Sequence, residues 1–350
     1  MHLARAIFVA LVAAAVSSRE AAAAPGSTAA NFLEIGVAPR PVALGQAFTG
    51  VADDVNAITY NPAGLAGLQR QELALTHNQY LEGIYQEYLA YAFPTARFGT
   101  VGLSVNMLRV SPFAGYDAND QRIADVTAQD TAIGAAYAYG LGPLSLGIAG
   151  YSLNSRLDDS RAKGTSWDAG ALWTPNKRLR VGAALRHLGP EIRFINDPFP
   201  LPRTFKLGAS YVLPSLWEGS KLMLCADGSF PRERSPYASG GVEFEPVEFA
   251  AIRAGYQGSL DAGSGIAAGV GLKLIHRAFS YFSYAEYPEW FPNIEVDYAF
   301  VALGSLGSTH RIGVLIKFGQ PRKGSDEETV RPDRYGTREE NESYGVFGFR

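Results

Sequence analysis

The sequence predicts an all-β protein, a transmembrane antiparallel β-barrel of about fourteen strands with an N-terminal plug of short helices. Three observations carry that expectation. Apolar and polar residues alternate with period two through most of the chain. Glycine is abundant at 38 residues, aromatics make up 12% and charged residues only 19%, and a mean hydropathy of −0.03 fits strands of which one face alone meets lipid. The chain also opens with a secretory address.

In chain order, Arg5 precedes an apolar run from Ala6 to Val16, and small residues follow from Ala21 to Ala24. A positive start, a short apolar stretch and small residues describe a signal peptide over residues 1–24, too short to cross a bilayer as a helix. No later apolar run reaches the length of a membrane helix, so spanning requires a closed barrel. The single cysteine, Cys225, excludes an internal disulfide framework. A formal net charge of −3 gives no reason to expect a nucleic-acid partner.

Residues 25–70 break the alternation. In "VADDVNAITYNPAGLAGL", Asn61 can cap a helix and Pro62 suits its first position, where the missing N–H costs nothing. Arg40 to Phe48 can form a similar short helix, and Asp53 and Asp54 supply turn or capping carboxylates between the two. A wide barrel leaves a hole, and a compact piece preceding the first strand is placed to fold inward and fill it.

From residue 71 the strands begin. They are expected near 71–80, 84–94, 98–109, 128–139, 143–154, 166–174 and 179–187. The remainder lie near 202–212, 221–229, 237–245, 248–257, 265–274, 293–303 and 309–319. In "TFKLGASYV", Phe205, Leu207, Ala209 and Tyr211 oppose Lys206, Gly208 and Ser210. A soluble sandwich also alternates, but its wet face would favour Thr, Lys and Glu and would spare glycine. Here the polar face is Gly, Ser and Ala with scattered charges: Arg180, Arg186, Lys206, Asp227, Glu243, Arg253, Glu295 and Asp297. Those residues fit a crowded, wet lumen.

The connections offer a second test, since outer-membrane barrels alternate short periplasmic turns with longer external loops. "PTAR", "GLGP", "TPNK" and "EPVE" read as turns, and 110–127, 155–165, 188–201, 230–236 and 258–264 as external loops. The segment 213–220 and an aromatic insert at 276–292, holding Tyr281, Tyr284, Tyr287, Trp290 and Phe291, interrupt the pattern. The insert suits either an interfacial aromatic belt or an extra edge hairpin. Residues 320–350 carry mixed charge and few apolar groups, as expected of a disordered periplasmic tail beyond a barrel at 71–319.

The stretch "FLEIGVAPRPVALGQAFTGVADDVNAITYNPAGLAGL" resembles the N-terminal signature of the PorV/PorQ-like proteins of the FadL superfamily. "LRHLGPEIRF", "LPRTFKLGASYVL", "AAIRAGYQ", "IEVDYAF" and "THRIGVLIKFG" follow in matching order, so the resemblance covers roughly residues 31–319. It implies a fourteen-stranded outer-membrane barrel whose hatch spans residues 25–70. Its hatch motif would be Arg40, Gly45, Asp53, Asp54, Asn61, Pro62, Ala63 and Gly64. The chain departs from relatives at "ALGQA", where they carry more glycine, and in the aromatic insert.

Nothing in the sequence points to an enzyme or a cofactor. The five histidines lack metal-ligand spacing, and "GSGIAAG" runs into a strand rather than a phosphate-binding helix. Two functional expectations remain. The barrel passes hydrophobic or amphipathic small molecules, with the plug as gate; or it docks secretion-system or surface proteins, as PorV-like barrels do. Outer-membrane lipid is a partner in either case.

Overall fold

The computed structural model describes residues 26–322, apart from 117–118, 123, 195–196, 259–262 and 275–291. The expected signal peptide, nearly all of the aromatic insert and the tail beyond Arg322 lie outside the described residues.

The alternating segments form long strands: β1 (Gln71–Leu81), β2 (Ile84–Pro94), β3 (Thr100–Phe113), β4 (Val126–Leu141), β5 (Leu144–Leu157), β6 (Ser160–Trp173) and β7 (Leu179–Leu188). A small separate hairpin follows, β8 (Ile192–Phe194) with β9 (Asp197–Phe199). The wall resumes with β10 (Thr204–Val212), β11 (Lys221–Pro231), β12 (Tyr237–Val247) and β13 (Ala250–Gln257). It ends with β14 (Ile266–Leu274), β15 (Asn293–Ala302) and β16 (Ser308–Phe318). β1 pairs antiparallel with β16, from Gln71 opposite Phe318 to Gln79 opposite His310, and closes fourteen strands into one barrel. Closure leaves no strand edge unpaired, the condition a spanning sheet must meet.

The two faces are reversed relative to a soluble barrel. Leu103, Ile133, Ile148, Leu272 and Ile312 point outward, each more than half exposed. Thr100, Ser104, Lys206, Asp227, Glu243 and Arg253 point inward and are buried. A soluble sheet would bury the first set; here the apolar face forms the outer band that lipid would cover.

Three expectations need correction. Residues 155–165, read as an external loop, are mostly strand: β5 runs to Leu157 and β6 starts at Ser160, with Arg156 paired to Arg161 across the turn. The alternation of long and short connections is therefore weaker than expected, since the β1–β2 and β5–β6 connections on that end are tight turns. Finally, 188–201 is not plain loop but carries the β8–β9 hairpin, whose Ile192 is buried.

One irregularity lies in the wall. Trp167 pairs with Leu188 but Ala169 pairs with Leu185, so the two residues Arg186 and His187 oppose the single residue Asp168. This β-bulge turns both Arg186 and His187 inward, where strict alternation would send one of them out. His187 takes the left-handed conformation, φ 59°, and its N–H donates to Asp168 Oδ1 at 2.7 Å.

Candidate functional site in the lumen

Residues 26–70 are built from short pieces. A 3₁₀ turn spans Asn31–Glu34, an α-helical segment Pro39–Ala43, another Ala57–Tyr60, and a second 3₁₀ turn Pro62–Gly67. Proline opens two of them because its fixed φ suits a first helical position. Asn61 is extended and caps the last turn: its Oδ1 accepts from the Ala63 N–H at 3.2 Å. Its Nδ2 donates to the Thr49 and Ala171 carbonyls at 2.9 and 3.1 Å, so one side chain ties two parts of the segment to β6.

The segment sits inside the ring. Leu44, Phe48, Val51, Val55, Ile58 and Leu65 are fully buried. The wall meets them with glycine at several close approaches. A Cβ on Gly241 of β12 would stand 2.7 Å from the Leu44 carbonyl oxygen, and one on Gly102 of β3, on the opposite side of the ring, 2.9 Å from Ile58 Cδ1. Conversely, a Cβ on Gly50 of the segment would stand 2.7 Å from Ala209 Cα. The small-residue wall face is thus a contact surface, and substitution there forces a shift.

Short helices leave many backbone groups unpaired, and wall side chains take them up. Arg180 Nη1 donates to the Val51 carbonyl at 2.9 Å, Ser210 Oγ to that of Gly50 at 2.9 Å, and Lys206 Nζ to that of Gln46 at 3.0 Å. Asp227 Oδ2 accepts from Thr49 N and Oγ1 at 3.1 and 2.6 Å, and Glu72 Oε2 accepts from Val55 N at 2.8 Å.

The strongest attachment runs through Arg40. Its Nε and Nη2 fork onto both oxygens of Glu243 at 2.7 and 2.9 Å, while Nη1 donates to Asp53 at 2.5 Å and Asp54 at 3.0 Å. Glu243 also accepts from Arg253 Nε at 2.7 Å, and Arg253 bonds Glu295 at 2.9 Å and Asp297. A continuous chain of charge therefore links a turn of the segment to β12, β13 and β15. Burial alone would raise both aspartates. The guanidiniums of Arg40 and Arg180 overcome this at Asp53 and hold its carboxyl well below its ordinary value. At Asp54, burial and the neighbouring Asp53 win over Arg40, and the carboxyl is raised.

All the expected site residues but Arg186 lie where the segment meets the wall. Arg40 joins Asp53 and Asp54 to Glu243; Arg180, Lys206 and Asp227 hold the segment's backbone or hydroxyls; Glu295 and Asp297 complete the network. Gly45, Pro62, Ala63 and Gly64 act by shape: a Cβ on Gly45 would strike the backbone of Tyr256, and one on Gly64 that of Ala52. Arg186 lies apart, its guanidinium over the Tyr60 ring at 5.7 Å. Sequence reasoning missed Glu72, Tyr151, Asp168, His187, Arg311 and Lys317. All but His187 were accessible in principle, as polar residues at inward positions of their strands.

Above the segment, toward the β1–β2 turn, lies a cavity of about 610 Å³. Phe32, Ile35, Leu81, Leu108, Val301 and Leu303 line it with apolar groups, and Arg186, His187, Lys206, Glu233, Arg234 and Arg311 with polar and charged ones. Glu34 at its margin is raised by burial, against the opposing pull of Arg234, whose Nη2 lies 2.6 Å away. Burial likewise pushes the Tyr60 hydroxyl below it up to about 12. Among the described residues no group of three or more His, Cys, Asp or Glu side chains is placed to hold a metal ion.

The model of an uncharacterised protein family, UPF0164, matches residues 6–169. A UPF0164 protein of Treponema pallidum (strain Nichols) is 41% identical over 56 residues, 16% of this chain. The matched stretch spans 13% of that relative's length. Among solved structures, a ΔS2S3 mutant of the monoaromatic hydrocarbon channel TodX covers 81% of this chain and 99% of its own, at 12% identity and a TM-score of 0.50. The toluene transporter TbuX of Ralstonia pickettii gives 12% identity and a TM-score of 0.49, covering 81% of this chain and 99% of its own. A FadL homologue of Pseudomonas aeruginosa gives 11% and 0.47, covering 81% and 98%. The chain shares with the TodX channel the fold of a closed antiparallel barrel.

Proposed function

We propose that this protein is an outer-membrane channel that passes hydrophobic or amphipathic small molecules, with residues 25–70 as its plug. The observation that carries the reading is the cavity of about 610 Å³, lined by both apolar and charged side chains and floored by a segment packed inside the ring. A solute with an apolar body and a polar end matches both kinds of lining. The outward band of Leu and Ile fits lipid, and a barrel is one of the two backbone solutions a bilayer tolerates. Both termini of the barrel lie on the end away from the cavity; on this reading that end is periplasmic and the cavity opens outward.

On this reading the hatch motif holds a gate. Arg40, Asp53 and Asp54 latch it to Glu243, and Asn61 with Pro62, Ala63 and Gly64 shapes the turn that rests on β5 and β6. The fold of the TodX channel supports the transport class, because that protein carries small apolar solutes in the same architecture. The test is permeation. Protein lacking residues 31–68 should assemble, migrate heat-modifiably on gels, and give larger or more frequent openings in planar bilayers than the parent. Normal assembly with parental conductance would defeat the gate and shift the reading to a PorV-like docking barrel.

A further inference from the structure

The outward face of the barrel is nearly free of charge, with one exception. Arg180, Lys206, Lys221, Arg253, Lys273, Arg311 and Lys317 lie on the inward face of their strands, in register with other buried or partly buried polar groups. The strand lysines and arginines that point outward are Arg109, Arg156, Arg161 and Lys163, all in β3, β5 and β6. The register gathers them. Arg109 pairs with Gln129, Gln129 with Arg156, and Arg156 with Arg161, a single row across four adjacent strands. Lys163 stands in the next row, paired with Asn154, itself paired with Thr131.

Three inter-strand spacings make that row about 14 Å wide. Arg109 lies 3.8 Å from Glu87, the one outward carboxylate in the barrel strands. Arg156 donates to the Asp158 carbonyl, while among the described residues Arg161 and Lys163 have no ion-pair partner. Like charges directly opposite one another, as Arg156 and Arg161 are, repel and destabilise the ladder unless an anion lies between them. Asp158 and Asp159 form the turn above this pair, but among the described residues neither carboxylate is ion-paired with Arg156 or Arg161, so the row can still take an outside anion.

Its height matters. On β4 the outward residues Leu141, Tyr139, Tyr137, Ala135 and Ile133 form the apolar band, and Thr131, Gln129 and Thr127 follow. Leu141 to Ile133 covers about 26 Å of strand, or about 20 Å along the membrane normal at a tilt of about 40°. On β4 the basic rows begin one rung higher, where a hydrocarbon layer roughly 25 Å thick gives way to headgroups, and the tilt spreads the row over about 9 Å of height. Trp167, two rungs below Lys163 on β6 and 56% exposed, shares its row with Gly150 and Ala135 and belongs to the apolar band.

We propose that Arg109, Arg156, Arg161 and Lys163 form a binding site for a phosphate-bearing anionic lipid of the outer leaflet, which holds the barrel at a fixed height and rotation. The proposal rests on the outer-membrane reading above. Guanidiniums suit it, because they grip phosphate oxygens in pairs. Charge complementarity and placement beside an apolar band distinguish a lipid from a free soluble anion, which would gain nothing from the band.

The test uses the full chain in nanodiscs of phosphatidylcholine doped with phosphatidylglycerol or a bisphosphorylated lipid A, with bound lipid counted by native mass spectrometry. The parent should retain the anionic lipid over phosphatidylcholine, and added salt should weaken the retention. At about fivefold per side chain, the triple variant Arg156→Gln, Arg161→Gln, Lys163→Gln should lose roughly hundredfold in selectivity. Lys163→Gln alone, which leaves the paired arginines in place, should lose about fivefold. Equal retention of both lipids by the parent, or selectivity unchanged in the variants, overturns the proposal. If the parent does not insert at all, the outer-membrane reading itself fails; if it inserts without selectivity, only the lipid site does. Retention of free inorganic phosphate as strong as that of the doped lipid would also overturn it.

Discussion

Removing the Arg40 guanidinium is the sharpest perturbation the lumen permits. Arg40→Met keeps most of the side chain's length and volume but leaves Asp53, Asp54 and Glu243 without their shared partner. Breaking a buried ion pair on one side costs about 3–5 kcal/mol, because the remaining charge is stranded. Here the residual partners favour the lower end. Glu243 keeps Arg253 at 2.7 Å, Asp53 keeps Arg180 at 3.5 Å, and Asp54 keeps the Asn56 N–H at 2.9 Å. A loss of about 3 kcal/mol corresponds to roughly a hundredfold larger undocked population of the segment. The ring itself should not respond, since β1 to β16 pair without Arg40. Hydrogen exchange on peptides covering residues 40–66 should show protection reduced by about that factor, with strand peptides unchanged. Arg40→Lys should fall between, because an ammonium keeps the charge but cannot fork onto Glu243. Parental protection of residues 40–66 in a folded Arg40→Met barrel would refute the latch.

The two aspartates should differ with pH. Asp53, whose carboxyl is held low, adds docking stability above the ordinary value of 3.8 that is lost as pH falls below it, so Asp53→Asn should loosen the segment at neutral pH and match the parent in strong acid. Asp54, whose carboxyl is raised, favours docking most when protonated, so Asp54→Asn should hold at pH 8 as firmly as the parent or more so, read by the same exchange measurement. Gly50→Val places branched carbon against Ala209 and should displace the segment, seen as new protease cleavage within residues 40–66 of an assembled barrel. Asn61→Ala should cost about 0.5–2 kcal/mol for the cap, plus the two Nδ2 bonds, and raise conductance without hindering assembly. A chain ending at Gly319 should still assemble and be heat-modifiable, because the ladder is complete there. It loses the Arg322 bonds to the Gln69, Ala66 and Thr95 carbonyls, so the exit of the segment should exchange faster.

The strands were legible because each separates an apolar from a polar surface, and the period-two pattern records that separation directly. The pattern failed where it had no physical cause. Residues 155–165, "SRLDDSRAKGT", rise above the apolar band, so both faces of the strand accept polar groups and the alternation vanishes into what reads as loop. The Asn61–Pro62 turn was legible because capping is local chemistry. The partners of Arg40 were not, since Glu243 lies 203 residues away and only closure of the ring brings it near. His187 was hidden for another reason: one extra residue in the bulge reverses the parity on which inward positions are counted.

The seam of the barrel sets an order of events. Residue 70 leads straight into β1, and β1 closes on β16, the last strand made. The glycine-lined wall fits closely round the segment, so we expect it to be enclosed most readily while the seam is still open. On that expectation the segment is wrapped during biogenesis rather than inserted afterwards. A barrel refolded without residues 31–68 should accordingly admit a synthetic copy of that stretch slowly, if at all, whereas the same peptide present from the first moment of refolding should be captured.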